Sequence, residues 1–186
     1  MSEAHASLQG NLLLDGGKLH GSFFHRSVVL ICQHNAEGAF GLVLNRMTES
    51  KVGDAVVANL PETIKKETLF IGGPVQPQTL SFLRSDILIP NANVMLNLNL
   101  GHSIDELAEL GDSPTGSQKL KLFAGYAGWS AGQLDTEMAR KDWLVQPATL
   151  ELIFAPEPEN LWKKILMMGD NSRRMLANSP EDLSWN

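Results

Sequence analysis

The sequence contains a single cysteine, Cys32, which excludes an internal disulfide and is typical of a protein from a reducing compartment. It also lacks long hydrophobic runs: the apolar stretch 28–32 is far too short to span a bilayer. The first thirty residues contain no basic segment followed by an apolar block, so we expect no secretory signal. Together these absences predict a cytoplasmic protein without membrane contact.

The chain also has fewer basic than acidic residues. The chain has 15 Lys and Arg against 21 Asp and Glu, giving a formal net charge of −6. Surfaces that bind nucleic acids depend on Lys and Arg to neutralise phosphates, so a nucleic acid is not an expected partner.

Metal and cofactor motifs are missing too. The histidines show neither H-x-H nor H-E-x-x-H spacing, and one cysteine cannot form a thiolate site. The turn Gly72-Gly73-Pro74 lacks both the Lys-Ser/Thr ending of a P-loop and the third glycine of a dinucleotide fingerprint. We therefore predict no metal and no cofactor.

The remaining composition is that of an ordinary globular protein, with 43% hydrophobic and 19% charged residues. Its length predicts one domain over residues 1–186. The polar segments at about 1–7 and 171–186 are expected to be loosely ordered tails. Strands that follow one another, with helices scattered between them, favour an α+β fold.

Four segments carry the clearest patterns. Residues 27–33 are apolar at successive positions, which predicts a strand buried on both faces, and a short glycine-containing loop should join it to residues 40–45 as an antiparallel hairpin. Apolar residues at every second position from Val94 to Leu100 predict a half-buried strand. Pro158 should open a helix that buries four apolar side chains: Leu161, Trp162, Ile165 and Leu166.

The chain is organised around residues 119–134. Lysines and leucines alternate from Lys119 until Phe123 breaks the pattern, as in a strand that enters a core. Three glycines follow, and Ser130 with Gln133 matches a capping box that would start a helix near Ala131.

The sequence resembles the YqgE/AlgH family of bacterial proteins. The resemblance extends from about residue 10 to 154 and depends on motifs in a fixed order: His34-Asn35 through Gly38-Ala39, Gly41-Leu42-Val43 with Asn45-Arg46, Gly72-Gly73-Pro74-Val75, Gly125-Tyr126-Ala127-Gly128-Trp129, and Gly132-Gln133-Leu134 with Glu137. It implies a mixed, mostly antiparallel sheet bent toward a pseudo-barrel with surrounding helices, in a cytosolic protein. It implies no established activity, although one branch of the family is associated with transcriptional regulation.

Two groups of residues are candidates for binding. Asn45 and Arg46 end a buried strand with side chains suited to a carboxylate, either of a ligand or of a neighbouring acid. The second group surrounds the central corner, which is the strand, glycine turn and helix predicted over residues 119–134. It consists of glycines and aromatics with one amide: Gly72, Gly73, Tyr126, Gly128, Trp129 and Gln133. We predict a non-enzymatic module that binds a small ligand or a protein partner there.

The alternative is a hydrolase-like enzyme that uses Ser130 or Cys32. Residues 128–132 match the nucleophile elbow G-x-S-x-G, but every histidine precedes Ser130, which excludes the α/β-hydrolase order and leaves other orders open. Cys32 and His34 should share one face of their strand, yet the apolar neighbours of Cys32 favour a buried thiol, and His34 is expected to bracket the hairpin loop. We therefore predict no catalytic residue.

Overall fold

The computed structural model describes residues 6–181 of the chain. This part of the chain contains nine strands: β1 (Asn11–Asp15), β2 (Val28–Asn35), β3 (Gly38–Val43), β4 (Met47–Lys51), β5 (Thr68–Ile71), β6 (Val75–Ser85), β7 (Leu98–Gly101), β8 (Lys119–Ser130) and β9 (Trp143–Pro147). Its seven α-helices are α1 (Val52–Ala55), α2 (Glu62–Lys65), α3 (Ile104–Asp112), α4 (Gln133–Ala139), α5 (Leu150–Ile153), α6 (Leu161–Met167) and α7 (Asn171–Ala177). No helix within residues 6–181 has the length and apolar character needed to cross a membrane.

One long strand, β8, connects the whole sheet. Its first half pairs antiparallel with β6 and parallel with β5, and its second half pairs antiparallel with β3. The strands follow the order β4-β5-β8-β3-β2-β1-β9, while β6 branches from β8 and pairs with β7. Only the β5–β8 pair is parallel within residues 6–181, and this sheet is not closed. The predicted α+β fold with a mixed, mostly antiparallel sheet is confirmed.

The predicted hairpin is β2 and β3, which pair antiparallel as expected. Successive β2 side chains enter two different cores, because neighbouring residues of a strand point to opposite faces. Val28, Leu30 and Cys32 belong to one cluster, whereas Val29 and Ile31 belong to the other. Burial on both faces explains why this segment shows no polar alternation.

The alternating segment 94–100 is a strand only in its second part. A tight turn, closed by the Leu98 amide donating to the Met95 carbonyl at 3.0 Å, precedes β7. Asn97 has a φ of +60°, and Leu96 is 81% exposed instead of buried. The prediction of one continuous strand is wrong because the turn breaks the period-2 alternation.

Residues 171–177 form a helix, so the expectation of a loose tail from 171 is wrong for this segment. Ala177 is buried, and Arg173 donates from Nη2 to the Val145 carbonyl on β9 at 3.1 Å. These contacts hold α7 against the sheet and α6, which buries the four predicted side chains. The ends of both predicted tails, residues 1–5 and 182–186, lie outside the described residues.

Candidate functional site

A cavity of about 540 Å³ lies between the loop that follows β1 and the end of the β2–β3 hairpin. Six polar or charged residues line it: His25, Arg26, Asn45, Arg46, Glu159 and Glu181. The two predicted binding residues Asn45 and Arg46 are therefore brought together here, apart from the glycine and aromatic candidates.

The loop at this cavity, residues 16–27, is shaped by the fully buried carboxylate of Asp15. Oδ1 accepts hydrogen bonds from the Gly17 amide at 2.8 Å and the Leu19 amide at 3.3 Å, and Oδ2 accepts from the Arg26 amide at 2.8 Å. A charged acceptor with several backbone donors strongly stabilises a loop. The Nδ1 atom of His25 lies 3.5 Å from Oδ2, without hydrogen-bond geometry.

Asn45 fastens the other side of the same loop. Its Oδ1 accepts from the Val28 amide and its Nδ2 donates to the Arg26 carbonyl, each at 2.9 Å. The Asn45 side chain thus makes the hydrogen bonds that a neighbouring strand would otherwise make at the start of β2. Its amide oxygen and its amide nitrogen are both bound to the backbone.

Arg46 is only partly satisfied by the protein. Its Nη2 donates to the carbonyls of Phe23 at 2.6 Å and His25 at 3.0 Å, and Cζ lies 4.8 Å from the centroid of the Phe23 ring. Its Nε is buried and has no hydrogen-bond partner among the described residues. Burial lowers the pKa of the Arg46 guanidinium from its ordinary value, because desolvation disfavours the charged form.

A second guanidinium, that of Arg26, crosses the cavity mouth. Nη1 donates to Glu181 Oε1 at 2.8 Å, Nη2 donates to the Ser179 carbonyl at 2.7 Å, and Cζ lies 5.1 Å from the centroid of the Trp162 ring. Arg26 adopts a φ of +54°, an uncommon conformation for a non-glycine residue, and the Asp15 and Asn45 bonds to its backbone hold it there. The cavity therefore has two fixed cations and a rim with two carboxylates.

The candidate glycines occupy a different place. Gly72 donates to the Ala124 carbonyl at 2.9 Å, and its own carbonyl accepts from Val43 at 2.8 Å. A Cβ atom on Gly73 would overlap the Tyr126 backbone. Close approach of two chain segments thus requires glycine here. Tyr126 stacks on Phe40, with ring centroids 4.8 Å apart.

Trp129 is part of the core, being 7% exposed. Its Nε1 and that of Trp143 both donate to Glu137 Oε2 at 2.8 Å, and Gln133 Nε2 donates to Oε1 at 3.0 Å. One carboxylate therefore satisfies both indoles, so this hydrogen-bond network accounts for Trp129 and Gln133. Gly128 is exposed on β8.

The corner and the cavity are joined by two phenylalanines of the loop. Phe23 lies beneath Arg46 and contacts Phe24 edge to face at 5.3 Å, and Phe24 in turn stacks on Trp129 at 6.3 Å. These ring contacts thus form a continuous packed path from the cavity to Trp129.

Comparison with known proteins identifies the family of this chain. The family model described as AlgH-like (DUF179) matches residues 12–171. The chain belongs to the AlgH-like family. It is 37% identical over 177 residues to a UPF0301 protein of Chlorobium luteolum, covering 92% of this chain and 91% of the relative. It is 33% identical over 180 residues to a UPF0301 protein of Chlamydia felis, covering 96% and 95%.

Solved structures of the same fold agree. The AlgH protein of Pseudomonas aeruginosa has a TM-score of 0.72 at 27% identity, covering 97% of this chain and 98% of its own. A Corynebacterium diphtheriae protein has a TM-score of 0.74 at 23% identity, with 95% of both chains covered, and shows the fold alone. The resemblance to the YqgE/AlgH family is confirmed. Five of the six cavity residues lie within the family match, and Glu181 lies beyond it.

The two candidate nucleophiles of this AlgH-like chain are held in structural roles. Ser130 ends β8, and both its amide and its hydroxyl donate to Gln133 Oε1, at 3.1 and 3.3 Å. This is the reciprocal half of the capping box, but α4 starts at Gln133 after Gly132 instead of near Ala131. Cys32 is fully buried, and burial raises the pKa of its thiol.

His34 contacts the segment before β1, which the residues around His34 in the sequence do not predict. Its Nδ1 accepts from the Leu8 amide at 3.0 Å, so the ring fastens the segment before β1 as well as lying on the β2–β3 hairpin. Within residues 6–181, no group of three or more His, Cys, Asp or Glu side chains is arranged to hold a metal ion.

Sequence reasoning missed Asp15, His25 and Arg26. Each lies in or beside the loop 16–27, whose sequence has no hydrophobic periodicity from which a structure could be predicted. A usable signal was the acid directly after the apolar run 12–14, followed by Gly16-Gly17, because a carboxylate at the end of a buried strand needs donors from the following turn.

Proposed function

We propose that this AlgH-like protein is a non-enzymatic module that binds a small ligand through a carboxylate or phosphate group in the Arg46 cavity. The observation that carries the proposal is the buried Nε of Arg46, which has no hydrogen-bond partner among the described residues although its residue lines a 540 Å³ cavity. Buried donors are nearly always satisfied, and an unsatisfied one costs about 1–3 kcal/mol.

An anionic ligand oxygen would supply the missing acceptor. Guanidinium groups bind carboxylates and phosphates through charge-assisted hydrogen bonds, and the Nη2 bonds to the Phe23 and His25 carbonyls fix the orientation of Arg46 in advance. Glu159 and Glu181 on the rim disfavour a multiply charged anion. The ligand class we propose therefore has one anionic group and a neutral or cationic remainder.

Binding without catalysis is proposed because, in the part of the chain that the structure describes, neither candidate nucleophile is hydrogen-bonded to a base. The hydroxyl of Ser130 is directed to an amide oxygen, and the thiol of Cys32 contacts only the Leu30 carbonyl, at 3.8 Å, within the described residues. A nucleophile is activated by an adjacent base or by a lowered pKa, whereas burial raises the pKa of the Cys32 thiol.

We further propose that any effect on transcription is indirect. The net charge of −6 opposes contact with DNA, so regulation would act through another protein whose docking depends on cavity occupancy. Specific retardation of a DNA fragment by the isolated protein at moderate salt would contradict this part of the proposal.

The test begins with native mass spectrometry of freshly purified protein, which reports a bound molecule and the subunit count together. Binding of acetate and of dimethyl phosphate, which each carry a single negative charge, is then measured by calorimetry for the wild type, Arg46→Lys and Arg84→Lys. Arg84 is a matched control, since its Nε is also buried without a partner but it does not line the cavity.

Arg46→Lys keeps the charge and removes the guanidinium N–H donors, so binding should weaken by about tenfold or more, whereas Arg84→Lys should leave it unchanged. Thermal melting confirms that both variants are folded. Absence of binding to either probe and of any co-purified molecule, or equal affinities of wild type and Arg46→Lys, would overturn the proposal.

A further inference from the structure

Lys121 is a buried cation that has no acidic partner among residues 6–181. The residue is 6% exposed, in the first half of β8. Its Nζ donates to the Ile153 carbonyl at 3.1 Å and lies 4.2 Å from the centroid of the Phe70 ring. Because an ammonium carries three donors, one carbonyl and one aromatic face leave it incompletely satisfied.

Other charged side chains lie in this part of the fold. Glu67, just before β5, lines the cavity that opens beside Lys121; burial raises the pKa of its carboxyl, and the charge of Lys51 on β4 partly offsets that effect. On the other side, Lys119 lies over the Phe154 ring, with Nζ 5.9 Å from its centroid, and interacts with Glu151 of α5. None of these groups forms an ion pair with Lys121 within residues 6–181. Buried charges are normally paired, so this exception requires an explanation.

A cavity of about 220 Å³ opens beside the ammonium, with room for about seven water molecules. Seven of its ten lining residues are apolar: Met47, Phe70, Leu120, Phe154, Ala155, Pro156 and Pro158. Phe70 belongs to β5, and Phe154 and Ala155 follow α5, so parts of three elements meet at Lys121. The Lys121 ammonium and the mostly apolar walls match a ligand that has an anionic end and an apolar body, with the anionic end at Lys121 and away from the carboxylate of Glu67.

We propose that this cavity is a second binding site, which takes a small apolar carboxylate such as an aromatic or short aliphatic acid, with the carboxylate paired to the Lys121 ammonium. The site shares no lining residue with the Arg46 cavity. It therefore does not depend on the function proposed above, and either site can be refuted alone.

The protonation of Lys121 gives the site a pH signature. Burial lowers the pKa of Lys121 to about 8, so in the free protein the ammonium that the ligand needs is lost above that pH. A ligand that remains ionised should then bind about tenfold more weakly at pH 9 than at pH 7, since only about a tenth of the protein is protonated at the higher pH. A ligand held only by apolar contact would show no such change.

Benzoate is the probe, and benzamide is its uncharged counterpart of nearly equal shape. Titrations followed by amide chemical shifts should place benzoate at Leu120, Lys121, Phe154 and Ala155, with benzamide at least about tenfold weaker. Lys121→Met should abolish the preference for benzoate and its pH dependence, and Lys121→Arg should retain the preference. Lys163→Met, which removes an exposed lysine of α6, should behave as wild type.

Folding of the variants is checked by their amide spectra before titration. Failure of benzoate to bind wild type at millimolar concentration would overturn the proposal. So would equal affinities for benzoate and benzamide, shift changes centred on another surface, or unaltered benzoate binding by a folded Lys121→Met.

Discussion

The residue whose environment departs furthest from its pattern is Lys121. Alternating lysines and leucines indicate that Lys119 and Lys121 share a solvent-facing side of β8, yet only Lys119 is exposed. The C-terminal end of α5 covers Lys121. The carbonyl of Ile153, which no later amide of so short a helix can use, accepts a hydrogen bond from the Lys121 ammonium. A contact across 32 positions of chain lies outside the reach of local periodicity.

Lys121 should make stability increase with pH in the alkaline range. In the unfolded chain its pKa is near the ordinary value of 10.5, whereas in the folded protein it is about 8. Between these values the unfolded state binds more protons, so the free energy of unfolding rises with pH; below about 8 both states are protonated and the full desolvation penalty remains. The gain is about 3 kcal/mol at most.

Urea unfolding of wild type and Lys121→Met between pH 7 and 10.5 measures this gain. Lys121→Met should be the more stable protein near pH 7, and its advantage should shrink as pH rises through the interval. Lys163→Met corrects for the general loss of one positive charge. A stability difference that stays constant with pH would show that Lys121 is protonated throughout or is not desolvated.

At the scale of elements, sequence patterns correctly predicted the structures that form through interactions between residues close together in the chain. The β2–β3 hairpin and the buried face of α6 follow from runs and periods within one segment, and both are confirmed. The turn before β7 and the docking of α7 depend on partners distant in sequence. The candidate site divides in the same way: Asn45 and Arg46 stand out at the end of a strand, but the cavity requires the loop that Asp15 folds from 30 positions earlier.

The junction between β5 and β8 should tolerate no side chain at Gly73. A Cβ atom there would overlap the Tyr126 backbone, which cannot move without breaking the strand pairing of Tyr126 with Val75. Gly73→Ala should therefore lower the free energy of unfolding by about 3 kcal/mol, measured by urea unfolding. Gly116→Ala is the control, since a Cβ atom at Gly116 meets nothing within 4 Å. Equal stabilities of the two variants would mean that β5 and β8 approach less closely than described.

At the scale of the whole molecule, β8 is the shared structural element. Leu122, Phe123 and Ala127 lie in three different hydrophobic clusters, and the same strand pairs with β3, β5 and β6. Neither side of the sheet can release β8 without exposing apolar surface that belongs to the other. This arrangement predicts that the two sides open together.

Hydrogen exchange followed by mass spectrometry can test that cooperativity with Phe123→Ala. Phe123 is fully buried, so its truncation should reduce stability by about 3–5 kcal/mol. Because β8 is common to both sides, protection should fall by a similar factor in β1, β2 and β3 and in β5, β6 and β7. Leu176→Ala is the contrasting variant: its side chain packs at the edge of one cluster, on α7, and its effect should be concentrated in α6 and α7. Loss of protection confined to β5, β6 and β7 in Phe123→Ala would instead show that the sheet divides at β8 into independently opening halves.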